Sequence, residues 1–138
     1  LQRRGRAAVQ SLAALRKLAA VASQDGADTY LAARVTLLDA RIQPRGTPAQ
    51  AFVKAEQALA EFLIHSEKDA VDIDQLRASA LAWQITGEIG LRAHKVEPAC
   101  RYLGLAAKRY EELDSSKRMN AVDQRRQGQV GELSKGCS

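Results

Sequence analysis

The sequence predicts an all-α protein built from antiparallel helix hairpins, with about six helices stacked as a short array. Three observations support this prediction. Hydrophobic residues make up 46% of the 138 residues but aromatic residues only 4%, so alanine and aliphatic side chains supply the core, and alanine is the strongest helix former. Apolar residues recur at spacings of three and four rather than two. Short polar segments with Gly, Pro, Asp or Ser separate these periodic stretches.

The first predicted helix covers residues 4–22. Its apolar stripe consists of Ala8, Leu12, Leu15, Ala19 and Ala22. It is also a basic lead-in, because residues 1–17 contain five basic residues and no acidic residue, whereas the rest of the chain is balanced in charge. Such a lead-in is usually a solvated flank, and the alternative is an arm for nucleic acid or acidic lipid. The chain begins at Leu1 without an initiator Met, so we expect Leu1 to be an internal position of a longer protein.

The second and third predicted helices form a first hairpin over residues 28–64. Asp28 is a suitable N-cap for the second helix. The third has the clearest start, because Thr47 offers a capping hydroxyl, Pro48 suits the first helical position and Gln50 completes a capping box. The two apolar stripes consist of Leu31, Val35, Leu38 and Ile42 on one helix and Ala51, Ala55, Ala58 and Phe62 on the other. The apolar stripe of the third helix is widened by Phe52, Leu59 and Leu63.

The fourth and fifth predicted helices form a second hairpin over residues 70–113. Asp69 or Asp72 caps the fourth helix, and Pro98 starts the fifth. Their apolar rows consist of Leu76, Ala80, Trp83 and Gly87, and of Ala99, Leu103, Ala106 and Tyr110. The last predicted helix, residues 117–136, has few large aliphatic side chains. A polar final helix suits a cap that closes an array of hairpins.

The two predicted hairpins share one pattern at a constant offset of 48 residues. Val35, Asp39, Ala51, Ala55 and Ala58 overlay on Trp83, Gly87, Ala99, Leu103 and Ala106. The second copy resembles the tetratricopeptide repeat family. Its residues Trp83, Gly87, Ala99, Leu103 and Ala106 match, in this order, the Trp, Gly, Ala, bulky and Ala positions of that family. It departs from that family at Thr86, usually Leu, and at Gly90, usually Tyr. We expect Trp83 to be a core side chain and Gly87 to admit the neighbouring helix.

This resemblance implies a non-catalytic protein-interaction or scaffold module. In such arrays the first helix of each hairpin lines a concave face that holds a peptide or an extended protein segment. On this interpretation the partner-binding residues are Gln84, Glu88, Arg92 and Thr36, with Ala40 beside them. The alternative for each is ordinary solvated surface. The identity of the partner and the possibility of self-association stay open.

The chain has two cysteines, Cys100 and Cys137. If the last two helices are antiparallel, Cys100 lies opposite roughly residues 131–136, so a disulfide is geometrically possible. The alternative is a buried free thiol and a frayed terminus. A disulfide implies a bacterial extracytoplasmic location, and free thiols imply the cytoplasm. The Ala99-Cys100 and Gly136-Cys137 pairs resemble tetratricopeptide-like C-terminal regions of some bacterial serine/threonine kinases and signalling cyclases. That resemblance implies an alternative function as a regulatory or sensory appendage of a membrane-linked signalling enzyme.

The sequence offers little for catalysis, and we predict no enzyme activity, no metal site and no cofactor. His65 and His94 are isolated and do not form a metal-binding set. No apolar run is long enough to span a bilayer, so we expect membrane contact only through parts outside this chain. A nucleic-acid-binding domain is a third alternative, but few aromatic side chains are present to stack on bases. Its basic residues would be the lead-in with Lys117, Arg118, Arg125 and Arg126.

Overall fold

The computed structural model describes residues 34, 36–41, 46–66 and 73–137, without the side chains of residues 65 and 66. Its helices are α1 (Pro48–Ser66), α2 (Ile73–Arg92), α3 (Val96–Ser115) and α4 (Ala121–Ser134), followed by a 3-10 turn (Lys135–Cys137). The described residues of the 36–41 segment are also helical, and the described chain contains no strand. The prediction of an all-α fold of helix hairpins is therefore confirmed. The predicted helix 4–22 lies outside the described residues.

The start of α1 follows directly from its sequence. The Thr47 backbone N–H donates to Gln50 Oε1 at 3.0 Å, and the Gln50 N–H donates to Thr47 Oγ1 at 3.2 Å. This reciprocal capping box satisfies two of the backbone donors that a helix leaves free at its N-terminus. The predicted stripe is buried, as are two of the residues predicted to widen it: Ala51, Ala55, Ala58, Phe62, Phe52 and Leu59.

The hairpin of α2 and α3 is the most closely packed part of the fold, and glycine on α2 permits this. A Cβ atom added at Gly87 would lie 2.7 Å from Leu103 Cγ. One added at Gly90 would lie 2.9 Å from both Ala99 Cβ and Phe52 Cε1. The packing role predicted for Gly87 is therefore confirmed, and Gly90 has the same role where α1, α2 and α3 meet. The space that a larger residue would need at position 90 is occupied by the Phe52 ring.

The turn between α2 and α3 is a Schellman motif with an unusual residue. His94 has φ 58°, in the left-handed region that glycine normally occupies. The Lys95 N–H donates to Gly90 O at 2.9 Å and the His94 N–H to Leu91 O at 3.1 Å. Helix α3 then begins at Val96, not at Pro98 as predicted. Pro98 lies inside the first turn, where its missing N–H removes no helical hydrogen bond.

A second Schellman motif ends α3 and displaces the start of the last helix. Lys117 has φ 59°, and the Arg118 N–H donates to Leu113 O at 3.2 Å. The last helix therefore begins at Ala121 rather than at residue 117. Asn120 caps it in a capping box, in which the Asp123 N–H donates to Asn120 Oδ1 at 2.8 Å and the Asn120 N–H donates to Asp123 Oδ2 at 3.1 Å.

Among the described residues, the buried side chains form two clusters that meet along α2. The first cluster lies between α1, α2 and the 36–41 segment, and the second lies between α2, α3 and α4. Helix α4 contributes little apolar area, since only Val130 and Asp123 are buried within it. Its position therefore depends on contacts other than hydrophobic packing.

Candidate functional site

Gln84 is not a surface residue, contrary to its predicted place on an open binding face. Its exposed fraction is 0%. The Tyr110 hydroxyl donates to Gln84 Oε1 at 2.7 Å, and Gln84 Nε2 donates to Gln129 Oε1 at 3.1 Å. The amide of Gln84 therefore joins α2 to α3 and α4 inside the fold. Gln84 is four residues after Ala80 and three residues before Gly87, which places it on the apolar face of α2. This spacing was the sequence signal for its burial.

Glu88 is also engaged within the fold. Its side chain is 11% exposed, and its Oε1 accepts a hydrogen bond from Arg41 Nη2 at 3.0 Å that is also an ion pair. Gln84 Nε2 lies 3.2 Å from the same carboxylate oxygen. These contacts form a polar chain from Tyr110 on α3 to Arg41 on the 36–41 segment. A buried polar chain is favourable only when its members are paired, as they are here.

Arg92 and Ala40, both predicted on the binding face, line one cleft. The cleft has a volume of about 240 Å³ and lies between the 36–41 segment, the start of α1 and the end of α2. Its lining consists of Ala40, Gly46, Pro48, Ala51, Ile89 and Arg92. Arg92 is exposed and has no ion-pair partner among the described residues. Thr36 is exposed one helical turn before Ala40 and makes contacts of its own.

The size of this cleft limits what it can hold. Sites for drug-sized ligands and cofactors occupy about 300–1,000 Å³, and this cleft is smaller. Its walls are apolar apart from the Arg92 guanidinium, and they come from three separate helical elements. The arrangement suits one or two side chains of a protein segment rather than a whole cofactor.

A cluster of three aromatic side chains, Phe52, Trp83 and Tyr102, lies on the side of α2 away from the cleft. The ring centroids of Trp83 and Tyr102 are 5.6 Å apart, and those of Phe52 and Tyr102 are 6.2 Å apart. The Tyr102 hydroxyl donates to Glu56. Burial and this carboxylate raise the pKa of Tyr102 to about 12. Trp83 is only partly buried, so it joins the two core clusters at their edge rather than filling one of them. Its Nε1 donor is buried without a hydrogen-bond partner in the described part of the chain.

Cys100 and Cys137 form a disulfide, and the predicted alternative of two free thiols is wrong for this structure. Their Cα atoms are 5.6 Å apart, within the range of about 4.4–6.8 Å that a disulfide spans. The bond joins the second turn of α3 to the 3-10 turn that follows α4. It closes the antiparallel arrangement of these two helices, as their sequence spacing had indicated.

The described residues provide no cluster of three side chains suited to a metal ion. Among the described helices, none has the length and apolar character needed to cross a bilayer. Of the predicted basic residues, Lys117, Arg118 and Arg125 are exposed. The lead-in that would accompany them lies outside the described residues. His94 has a backbone role in the turn after α2, and the side chain of His65 is outside the described part.

No protein-family model, no curated protein and no solved structure matches this chain.

Proposed function

We propose that the chain is a non-catalytic protein-interaction module of tetratricopeptide-like design. On this proposal it binds an extended segment of another protein across the cleft between the 36–41 segment, α1 and α2. The observation that carries the proposal is that Ala40 and Arg92, chosen as binding residues from their repeat positions, lie on one cleft. They are 52 residues apart in the sequence, so chain proximity does not explain the coincidence.

The details of the cleft favour a protein ligand. The cleft is partly enclosed and largely apolar, which suits insertion of a side chain from the partner. Arg92 provides one exposed guanidinium that can pair with a carboxylate or a backbone carbonyl of the same segment. Glu88 and Gln84 support this face from within, because their hydrogen bonds join α2 to the neighbouring elements. We therefore assign binding to Arg92, Ala40 and the exposed Thr36, and a supporting role to Gln84 and Glu88.

The test is selection of binding segments from a library of random peptides displayed on phage, followed by affinity measurement with the selected peptide. The variant Arg92→Glu should weaken that affinity at least about tenfold, the equivalent of 1.4 kcal/mol. Lys108→Glu is the matched control, because Lys108 is exposed on α3 away from the cleft and the charge change is the same. Failure to select any peptide, or equal affinities for both variants, contradicts the proposal.

The disulfide favours one version of the alternative function. Disulfides persist in oxidising compartments such as the bacterial periplasm, so the bond supports an extracytoplasmic appendage of a signalling protein. In that setting the module would sense or recruit a partner on the outer side of the membrane. Thiol alkylation of the protein in cells, followed by mass spectrometry, tests this. Recovery of alkylated Cys100 and Cys137 without prior reduction contradicts the extracytoplasmic assignment.

A further inference from the structure

A second depression adjoins the cleft of the proposed binding face. It is an open groove of about 590 Å³, lined by Gly46, Ala49, Gln50, Val53, Lys54 and Gln57. The groove and the cleft share one lining residue, Gly46. The backbone of Gly46 has φ 76°, a conformation that favours glycine, so no side chain at this position separates the two depressions. The cleft and the groove therefore form one continuous surface.

The two depressions lie on opposite sides of the N-terminal half of α1. At about 100° per residue, the groove positions on this helix are centred about 160° away from Pro48 and Ala51, which line the cleft. A helix with its side chains is about 10–12 Å across, and an extended chain advances about 3.3 Å per residue. An extended ligand that crosses the start of α1 therefore joins the two depressions with three or four residues.

Each depression has one exposed cation and no acidic residue in its lining. The cation of the cleft is Arg92, and that of the groove is Lys54. Neither side chain has an ion pair with another described residue. The residues three and four positions from Lys54, which are its neighbours on the helix surface, are all uncharged: Gln50, Ala51, Gln57 and Ala58. The continuous surface is therefore apolar with a positive charge on each side.

The acids that neighbour these linings along the chain already have interactions within it. Glu88, one helical turn before the cation of the cleft, pairs with Arg41. Glu56, two residues after the cation of the groove, accepts a hydrogen bond from the Tyr102 hydroxyl. Asp39 also makes a contact of its own. The carboxylates that would pair with the two lining cations are therefore expected from a ligand, so the surface is complementary to an acidic one.

We infer that the ligand of this module is an acidic, extended protein segment that occupies the cleft and the groove together. The cleft is the first of its two subsites, so the inference rests on the function proposed above. One apolar side chain of the segment enters the cleft, and another, three or four residues along, packs against Ala49 and Val53. Carboxylates beside these side chains pair with Arg92 and Lys54.

A second copy of the chain is a poorer occupant of the groove. A symmetric contact between two copies places the same surface patch on both sides of the interface. Such a contact through the groove would bring the Lys54 ammonium groups of the two copies together, and like charges repel. An acidic segment meets the same ammonium group with the opposite charge.

Affinity measurements with peptides selected from the random phage library test the groove separately from the cleft. Lys54→Glu should weaken the affinity at least about fivefold, and the remaining affinity should depend less on salt concentration. Lys108→Glu is again the control, because Lys108 is exposed on α3 and the charge change is the same. A loss with Arg92→Glu but none with Lys54→Glu overturns the inference and supports the proposed function. A loss with neither variant overturns both.

The apolar contact has a matched pair of variants of its own. Val53→Ser should weaken the affinity several-fold because it removes apolar surface from the groove. Val122→Ser is the control, since Val122 is exposed to a similar extent, 44% against 53% for Val53, but belongs to α4. Equal affinities for the two variants would overturn the assignment of the groove as a subsite.

The chemistry of the occupant is read from the peptides themselves. The selected peptides should be enriched in Asp and Glu, with two apolar residues three or four positions apart. Replacing one of their acidic residues by Lys should weaken binding to the unmodified chain and restore binding to Lys54→Glu, which identifies the charge pair. Selection of basic or uncharged peptides would overturn the acidic class. Sedimentation velocity tests the second copy, because a dimer that Val53→Ser abolishes would assign the groove to self-association and overturn the inference.

Discussion

Arg77 on α2 and Asp123 on α4 form an ion pair in which the Arg77 Nε–H is shared between the two carboxylate oxygens, at 2.8 and 3.0 Å. Asp123 has no exposed surface. Arg77 also donates from Nη2 to the backbone carbonyl of Arg118 at 2.9 Å. One guanidinium therefore neutralises the only buried acid of α4 and fixes the turn before it. Because Asp123 also completes the capping box of Asn120, the same carboxylate both starts the helix and docks it.

Removing the arginine should be costly. Arg77→Ala leaves a buried carboxylate without its counter-charge, a change that typically lowers the free energy of unfolding by about 3–5 kcal/mol. Arg109→Ala is the control, since Arg109 pairs with Glu112 on the surface and exposed pairs contribute about 0–1 kcal/mol. Urea denaturation of both variants measures the difference. Similar losses in the two variants would contradict the assigned role of Arg77.

Adding a methyl group should have opposite effects at two glycines. Gly87→Ala places its Cβ against Leu103, and overpacking of this kind costs about 1–3 kcal/mol. Gly104→Ala on the exposed side of α3 meets no atom within 4 Å, so the better helix propensity of alanine should add about 0.5–1 kcal/mol. Thermal unfolding followed by circular dichroism measures both changes. Stabilisation by Gly87→Ala would show that α2 and α3 approach less closely than described.

Loss of the disulfide should weaken the C-terminal end of the fold. The bond closes a loop with a sequence separation of 37 residues, for which the chain-entropy model gives about 3–4 kcal/mol. The variant Cys100→Ser/Cys137→Ser should lose this amount and match the reduced native chain. Hydrogen exchange should rise mainly in α4 and the 3-10 turn, because few apolar side chains hold them. Uniform acceleration of exchange over α1 and α2 would argue against a local role.

Alkaline pH should destabilise the fold through two tyrosines. Burial raises the pKa of Tyr110, and burial together with Glu56 raises the pKa of Tyr102 to about 12. The unfolded chain ionises near the ordinary tyrosine pKa of about 10, so it loses protons before the folded chain does. The free energy of unfolding should therefore be unaffected by these groups below about pH 10 and fall as pH rises towards about 12.

Tyrosinate absorbance during a pH titration, read beside urea unfolding at each pH, checks this dependence. Tyr110→Phe should remove one group that titrates above the ordinary tyrosine pKa. It should also lower the free energy of unfolding by about 1–3 kcal/mol at neutral pH, because Gln84 Oε1 loses its hydrogen-bond donor. Titration of both Tyr102 and Tyr110 near pH 10 in the folded protein would be the contrary outcome.

Features encoded by neighbouring residues were predictable, whereas the polar contacts between distant residues were not. The start of α1 was predicted from four neighbouring positions that include Thr47, Pro48 and Gln50, and the capping box in the structure confirms it. The capping box of Asn120 was missed because Asp123 replaces the usual Glu or Gln. The Arg77–Asp123 pair spans 46 residues and depends on tertiary packing that no local pattern specifies.

The surface position predicted for Gln84 was wrong because the prediction relied on its polar side chain and not on its helical spacing. Its periodic position on α2 indicated the interior, but a polar amide suggested the surface. The interior site is available because Tyr110 and Gln129 supply hydrogen bonds from two other helices. The disulfide could be anticipated from the sequence. In an antiparallel pair of helices, the position of the turn determines which residues lie opposite each other, and Cys137 follows closely after the residues opposite Cys100.

Helix α4 is held at both ends, by the Arg77–Asp123 pair at its first turn and by the Cys100–Cys137 bond just after its last. Between these anchors, a Cβ atom added at Gly128 or Gly131 would meet no neighbouring atom within 4 Å. Apart from Gln129, which accepts a hydrogen bond from Gln84, the exposed residues of this middle stretch thus have wide mutational freedom, since a substitution there disturbs neither anchor. The outer surface of α4 is accordingly the part of the molecule where new epitopes or labels can be engineered, and where sequence can drift, without loss of the fold.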